Sequence, residues 1–577
     1  MMRSDQVAEH LDAIADLLEI KGESPFRVNA YRDVARRIAH HPEEISILAE
    51  EQRLRSIPGV GETLAARIVE LIQRGTTETY EELARSMPAG LRDLLAVPGL
   101  GPKRVRQLYD QLSIASLPDL EAAVQAGRLR AVPGFGAKTE ERMLRDLARL
   151  RQRVRRHLLG EAWPLAEEIA AALRALRLAE RVEVAGSIRR RLETIGDLDI
   201  VIASARPEAF AARAVALPVV EQVQEHGPTK LTLLTQRDVQ LDIRVVAPHE
   251  FGSALLHFTG SKQHNIHLRA MAQERGWKVN EYGLFDEATG ARLAGLTEEE
   301  MYARLGLAWI PPELREDAGE IEAAAAGRLP TLITEADVRG ELHAHTDWSD
   351  GGASLEAMAE AARARGYAYL AITDHSRSRA VAGGLSVERV REQRAAIAAL
   401  KARYAPFSIL AGSEVDIRAD GTLDYDDETL AAFDFVVASV HSGFAQSRDV
   451  MTQRLLNALA HPAVDVLGHP SGRLIGKREG YELDVEAVIA AAARHGKALE
   501  INSQPDRLDV RDTVARRAHE AGVLLCVATD AHSPRHYAAL RFGIGQARRA
   551  WLPAEAVINT WPLERLLTWR RRRLDVL

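Results

Sequence analysis

Residues 186–200 read GSIRRRLETIGDLDI, and the organisation of the middle of the chain follows from them. Gly186-Ser187 opens a turn. Gly196 then leads into the alternating run Asp197-Leu198-Asp199-Ile200. On a strand, residues two apart point to the same face, so Asp197 and Asp199 face one way. A second strand-like run, Gln240-Leu241-Asp242-Ile243-Arg244, brings a third carboxylate that could sit beside them on a neighbouring strand. Three carboxylates on one sheet face repel each other unless cations join them. Oxygen ligands at that density suit Mg²⁺ or Mn²⁺. Two such ions can clamp an in-line phosphoryl transfer between a hydroxyl and a triphosphate. The Gly186-Ser187 turn could hold the triphosphate through its hydroxyl and N–H groups, with Arg190 adding charge. A lone Asp-x-Asp is more often a solvated strand end; the upstream Gly-Ser and the third Asp favour a catalytic group.

Working outward, the apolar pattern predicts a helix over 165–176 and strands over 181–185, 198–203, 230–234 and 239–246. Residues 251–318 look mixed, with a helix over 265–274, and 319–337 reads as a linker. Residues 1–158 read as short helices, with Val7, Leu11, Ile14, Leu17 and Leu18 at helical spacing. One pattern recurs three times: Ile57-Pro58-Gly59-Val60-Gly61, Val97-Pro98-Gly99-Leu100-Gly101 and Val132-Pro133-Gly134-Phe135-Gly136, each followed by a helical run. This is the helix-hairpin-helix pattern, one supersecondary unit used repeatedly. The paired glycines allow a tight turn and leave backbone N–H groups facing outward, where a DNA phosphate can sit without its sequence being read. Gly59, Gly61, Gly99, Gly101, Gly134 and Gly136 are thus candidate DNA contacts, together with Lys103, Arg104 and Lys138. The first copy carries Glu62 where the others are basic. The arginine-rich run 142–156 is either a solvated helix face or a DNA-facing stripe.

From about 338 onward, apolar runs (YLAIT, FSILAG, FDFVVASV, VDVLG, KALEI, VLLCVAT) alternate with Ala/Arg-rich helical segments, as expected for parallel strands with crossover helices closing into a barrel. Histidines and carboxylates fall near the C-terminal ends of these runs: His343, His345, Asp350, His375, Glu414, His441, His469, Asp530 and His532. A single histidine at a strand end is usually structural, but packing does not explain nine such groups at successive strand ends. Imidazole and carboxylate ligands without thiolates suit Mn, Zn or Fe, and the sequence does not choose among them. Such a centre can bind phosphate oxygens and bring a bound water's pKa toward neutrality. His461 and His495 fall outside the pattern and read as structural.

Composition sets the limits. A chain of 577 residues exceeds one core, so about three or four domains of roughly 150 residues are expected. Apolar content of 46% and charged content of 27% are ordinary for globular protein. The net charge of −7 excludes a uniformly basic nucleic-acid binder, so polyanion contacts must come from local patches. The single cysteine, Cys526, excludes an intramolecular disulfide or a cysteine-rich zinc site and fits a reducing cytoplasm. No apolar window is long enough for a membrane span, and the N-terminus has no signal-peptide core.

Residues 1–318 resemble the family X DNA polymerases, the group of DNA polymerase beta. The likeness includes Asn29-Ala30-Tyr31-Arg32, the first two hairpins, Gly-Ser…Gly-Asp-x-Asp with the third Asp, and Phe258-Thr259-Gly260-Ser261 with Asn265 and Arg269 beyond. It implies metal-ligand roles for Asp197, Asp199 and Asp242, and nucleotide contacts at Gly186, Ser187, Arg190, Gly196, His257, Phe258, Gly260, Ser261, Lys262, Asn265 and Arg269. The chain departs from the beta-like pattern with His257 for a Tyr, Lys262 for an Asp, and Gln240 for an Arg. Arg67 stands where those enzymes carry a lyase lysine. Residues 338–577 resemble the polymerase and histidinol phosphatase (PHP) superfamily, which implies a distorted (β/α)₇ barrel holding three divalent ions. A family X polymerase followed by this barrel is a bacterial architecture whose barrel is associated with 3′–5′ exonuclease, abasic-site endonuclease and 3′-phosphatase activity.

The expected organisation is therefore an N-terminal helical domain with the first hairpin (1–85), a helical fingers region with the other two (86–158), an α/β nucleotidyltransferase palm (159–250), a thumb (251–318), the linker, and the PHP barrel. The expected partners are gapped or primer-template DNA and deoxynucleoside triphosphates, acted on by a cytoplasmic, nucleoid-associated monomer without a membrane partner. Three other readings stay open: a template-independent nucleotidyltransferase, a DNA-binding scaffold whose barrel binds metal only for stability, and a barrel acting on a small phosphate ester.

Overall fold

A computed structural model describes residues 4–39, 45–57, 59–91, 93–97, 100–136, 139–140, 143, 147 and 156–574. Two compact units emerge, Met1–Arg155 and Arg156–Leu577.

The first unit is helical. Its opening helix, Ser4–Lys21, buries Val7, Leu11, Ile14 and Leu18, a spacing of three and four that forms one apolar stripe. Helices Glu62–Arg74 and Pro102–Leu112 begin directly at hairpin glycines, Gly61 and Gly101. The apolar residues of each hairpin (Ile57 and Val60, Val97 and Leu100, Val132 and Phe135) are buried in the helical core. Each hairpin is thus anchored through its apolar side chains.

In the second unit, a five-stranded sheet runs in the order Arg181–Val184, Asp197–Ala203, Gln240–Val246, Lys230–Thr235, Val220–His226. Only the central pair, Asp197–Ala203 with Gln240–Val246, is parallel. Helix Leu159–Ala175 packs on the sheet through Leu165, Ile169 and Leu173. The Val220–His226 strand is not legible in the sequence because it is an edge strand whose residues are nearly all exposed, without an alternating apolar face. Next come helices Phe251–Thr259 and Lys262–Gln273 and a small antiparallel sheet, Trp277–Asn280, Gly283–Asp286 and Arg292–Ala294. Ser261 caps the second helix by accepting a hydrogen bond from His264 N at 3.2 Å, so the helix starts three residues before the apolar pattern indicates.

The stretch 319–337 is not a bare linker. It contains helix Glu320–Ala325, whose Ile321 and Ala324 enter the core around Tyr302. Its buried Glu320 meets His264 Nδ1 at 2.6 Å. The alanine-rich composition hides this role, because alanines pack without leaving a strong apolar stripe.

Seven parallel strands follow in sequential order: Gly340–Glu341, Tyr369–Ile372, Ser408–Asp416, Phe435–Ser439, Val466–Leu467, Ala498–Asn502 and Leu524–Ala528. A parallel bridge between Ala344 and Ala531 brings the last strand back toward the first, so the sheet is a nearly closed barrel. The two-residue first strand is too short to register as an apolar run. The five-stranded sheet and the barrel share a core: Leu508, Ala539 and Phe542 of the barrel pack with Leu159, Ala162 and their neighbours. Ion pairs Arg473–Glu193 at 2.8 Å and Arg541–Glu167 at 2.7 Å flank the junction.

Candidate active sites

The carboxylates of the first site are placed by strand register. Asp199 pairs directly with Asp242 across the parallel central strands, and Asp197 lies two residues before Asp199 on the same face. Both Asp242 oxygens are held by neutral donors: Thr232 Oγ1 donates to Oδ1 at 2.6 Å and Gln240 Nε2 to Oδ2 at 2.7 Å. Burial, with the like charges of Asp197 and Asp242, pushes Asp199 up to about 8, against the lowering effect of Arg244 and Arg190. A carboxyl that resists ionisation this strongly is one that a cation beside it would stabilise.

The Gly186–Arg190 turn sits against this face. A Cβ on Gly186 would lie 2.1 Å from Asp199 Oδ2, and the residue has φ of +64°, so both space and backbone require glycine. Arg189 locks the turn by a paired contact to Glu298 at 2.7 and 2.8 Å. Buried Arg315 grips the same carboxylate at 2.6 and 3.1 Å. Arg190 donates to the Thr259 carbonyl and to Glu316 Oε1 at 3.0 Å, so its guanidinium is already engaged within the protein. Ser187 is partly exposed beside it, and Gly196 immediately precedes Asp197.

His257 and Phe258 end the helix Phe251–Thr259, with ring centroids 5.0 Å apart; Arg244 lies over the Phe258 ring at 5.0 Å. Burial, aided by Arg269 and Arg244, lowers His257 against the pull of Glu281. Gly260 and buried Ser261 form the turn into the next helix. On that helix Lys262, Asn265 and Arg269 share one face by spacing, with Lys262 and Arg269 exposed. Asn265 Nδ2 donates to His257 O at 2.8 Å, joining the two helices.

In the helical unit, Gly59 and Gly134 both have φ of +89°, the left-handed conformation that the hairpin requires. A Cβ on Gly61, Gly101, Gly134 or Gly136 would meet nothing within 4 Å, so these turns present open backbone. Lys103 and Arg104 are exposed on the first turn of Pro102–Leu112. Gly99, Lys138 and the arginines at 142, 145, 149, 151, 153 and 155 lie outside the described residues. Arg156, the last of that run, donates to Thr194 Oγ1 at 2.7 Å.

The nine barrel residues converge. Glu414 sits at the centre: His375 Nδ1 lies 3.0 Å from Oε2, and His441 Nε2 and His469 Nε2 lie 3.2 and 2.9 Å from Oε1. His343 and His345 lie 3.5 and 3.6 Å from Oε2. Asp530 is 3.1 Å from His345, and Asp350 is 3.4 Å from both His375 and His532. Three overlapping groups of ligand atoms result: His345, Asp350, His375 and His532; His343, His345 and Asp530; His375, Glu414 and His441. His343 Nε2, both ring nitrogens of His345, His375 Nδ1, His469 Nδ1 and Asp530 Oδ1 are buried without hydrogen-bond partners. Apart from His469 Nδ1, whose ring faces the cluster through Nε2, these orphaned atoms lie among one another as a set of divalent ions would require. Burial alone would push Glu414 up, but the surrounding imidazoles hold it well below the ordinary carboxylate range. Burial and neighbouring His375 and His532 push His345 down to about 3, the neutral form a ligand needs.

A second layer is not evident from the sequence pattern. Glu500 accepts from His343 Nδ1 at 2.7 Å and from His469 N at 2.6 Å; Asp416 pairs with His441 Nδ1; Asn502 donates to Asp530 at 3.1 Å. These partners fix the tautomer and orientation of the ligands. One available signal is a carboxylate inside an otherwise apolar strand, as Glu500 is in Ala498–Asn502. His461 lies outside the cluster, 3.3 Å from Asp427.

Comparison with known proteins agrees with this geometry. Residues 254–316 match the DNA polymerase beta thumb, residues 2–77 a helix-hairpin-helix domain, residues 91–149 a SAM-like helix-hairpin-helix tandem, and residues 341–504 a PHP domain. The chain is 38% identical over 573 residues to the DNA polymerase/3′-5′ exonuclease PolX of Bacillus subtilis (strain 168), covering 99% of this chain and all of that one. It is 24% identical over 340 residues to DNA polymerase lambda of Rattus norvegicus, covering 54% of this chain and 56% of that one. With a carboxylate triad set by strand register, a beta-type thumb, hairpin repeats and a histidine-lined barrel in one polypeptide, the chain belongs to the PolX-type family X DNA polymerases, those that carry a C-terminal PHP domain.

Proposed function

We propose that the chain fills short gaps in DNA from deoxynucleoside triphosphates at the Asp197–Asp199–Asp242 site. We further propose that its barrel hydrolyses DNA as a 3′–5′ exonuclease, with abasic-site endonuclease and 3′-phosphatase activity at the same centre. The observation that carries this reading is the direct pairing of Asp199 with Asp242, with the Gly186 turn packed against Asp199. Divalent ions, Mg²⁺ or Mn²⁺ at the triad and three of Mn²⁺, Zn²⁺ or Fe²⁺ in the barrel, supply charge neutralisation and an acidified water when bound.

The chain's own residues do the rest. Thr232 and Gln240 hold both Asp242 oxygens in place for the primer end. Gly186 N–H and Ser187 hold the triphosphate, and Arg190 adds charge from behind. His257 and Phe258 face the sugar, Lys262 meets the incoming nucleotide, and Asn265 and Arg269 probe the nascent pair. The open hairpin glycines, with Lys103 and Arg104, hold the DNA backbone without reading sequence. In the barrel, Glu500 and Asp416 orient His343 and His441. Residues 1–85 and 86–158 form the hairpin-bearing regions, 159–250 the palm, 251–318 the thumb and 338–577 the barrel.

The test is Asp199→Ala. Nucleotide addition to a gapped primer should fall below detection while Mn²⁺-dependent DNA hydrolysis continues. Loss of both activities in a folded variant would show that the sites are not separate.

A further inference from the structure

Beside the histidine cluster lies a cavity of about 350 Å³ that none of the roles above uses. Its walls are apolar: Tyr481, Leu483, Val485, Val488, Val510 and Val514. Its volume is at the lower end of the range of about 300–1,000 Å³ for small-ligand sites. Pro470 and Ser471 line it and follow His469 directly in the chain. The cavity therefore adjoins the C-terminal strand ends that carry the cluster.

Three polar groups line the same cavity. Arg473 is 3% exposed; its Nη2 donates to Glu193 at 2.8 Å and to Leu508 O, while Nε and Nη1 have no partner. Ser471 Oγ is buried and also without a partner. Asp509 is fully buried, and its carboxyl accepts from Ser471 N at 3.0 and 3.2 Å. Such groups are costly to leave unmet, more so where they are charged. Glu479, Glu482 and Arg511 also line the cavity and are exposed.

The ligand chemistry follows. Three carboxylates against two guanidiniums disfavour a free anion. A purely apolar ligand would leave Arg473 and Ser471 unmet. A flat heteroaromatic ring satisfies both the apolar walls and the polar end. One edge acceptor suits a free guanidinium N–H, as the O6 of guanine does, and the ring N–H beside it suits the Asp509 carboxyl.

We propose that this cavity seats the base of the 3′-terminal nucleotide of the strand that the barrel hydrolyses, with guanine held best. The proposal rests on the hydrolytic reading of the barrel and names its subsite. Arg473 and Ser471 grip the base edge while the apolar walls cover its faces, so the terminal phosphodiester is presented to the cluster.

The full-length protein with Mn²⁺ is given single strands ending in guanine, in thymine, or in a residue without a base. The baseless end should show a KM about tenfold or more above the guanine end, because the polar groups of the cavity then stay unmet. Leu483→Trp, which fills the cavity, should raise the KM of the guanine end to that of the baseless end, which has no base to seat and keeps its wild-type KM. Arg473→Met should erase the preference for guanine over thymine. Glu193→Gln, which removes only the charge of the partner across the junction, should keep it. Equal KM for all three ends in the wild type, or equal impairment of all ends by Leu483→Trp, overturns the proposal. If the wild type cuts none of the strands, the hydrolytic reading has failed instead. Calorimetric titration with 2′-deoxyguanosine then decides for the cavity: saturable binding lost in Leu483→Trp supports it, and no binding by the wild type overturns it.

Discussion

Replacing Glu298 by glutamine should release the thumb from the Gly186–Arg190 turn without touching either the carboxylate triad or the histidine cluster. Glu298 is 4% exposed and receives four guanidinium hydrogen bonds, two from Arg189 at 2.7 and 2.8 Å and two from Arg315 at 2.6 and 3.1 Å. Trp309 Nε1 adds a fifth at 3.3 Å. Arg315 is fully buried, and the carboxylate is the only anion among the described residues that is hydrogen-bonded to its guanidinium or to that of Arg189. Glutamine keeps the shape but removes the charge, leaving two cations facing a neutral amide. Breaking a buried pair from one side costs about 3–5 kcal/mol. A unit of this size need not unfold in one step, so the cost is best read locally. Amide exchange in helices Glu298–Arg304 and Lys262–Gln273 should accelerate by roughly two to nearly four powers of ten, at about 1.4 kcal/mol per tenfold. Barrel strands such as Phe435–Ser439 should keep their protection. Primer extension should fall because Arg189 holds the Gly186–Arg190 turn. Mild acid should not mimic the variant. Burial would raise Glu298, but Arg315 and Arg189 hold it far below the ordinary carboxylate range. Its stabilisation is therefore present above the unfolded pKa and is lost only as pH falls through the depressed folded value. Acceleration below tenfold in the thumb, or equal acceleration in the barrel, would refute the reasoning.

Three further outcomes are expected. Glu500→Gln, which weakens the orienting contact to His343 Nδ1, should lower barrel metal affinity by about 10–100-fold with primer extension unchanged, as read by metal titration of both activities. Asp199, raised to about 8, should make the metal-free protein less stable as pH rises from about 4 toward 8, because only the unfolded chain releases that proton. Mg²⁺ binding at pH 7 should accordingly release more protons from the wild type than from Asp199→Asn, and equal release in calorimetry with buffers of different ionisation enthalpy would contradict this. Arg67 donates to Glu70 at 2.8 Å, a hydrogen bond that raises its pKa further, so it cannot become a neutral amine nucleophile. Borohydride treatment with incised abasic DNA should trap no adduct within residues 1–90, and an adduct there at lyase-like yield would overturn the reading.

What the sequence determined by itself is what depends on spacing along the chain. Asp197 and Asp199 share a face because a strand repeats every two residues. The hairpins repeat because each helix entry needs the same glycines. The barrel cluster is legible because parallel strands of one barrel end on the same side, so nine residues far apart in sequence were bound to meet. What only the tertiary structure decided depends on partners that no local period encodes. The pairing of Asp199 with Asp242 needs the parallel register of two strands about forty residues apart, with an antiparallel strand added on the far side. The engagement of Arg190 by Glu316, the grip of Arg189 and Arg315 on Glu298, and the orienting of His343 by Glu500 are all long-range contacts between charged groups. In sequence all of these but Glu500, which interrupts an apolar strand, look like ordinary surface charges. Burial alone makes them specific, because a charge taken out of water must find its partner wherever the fold has put it.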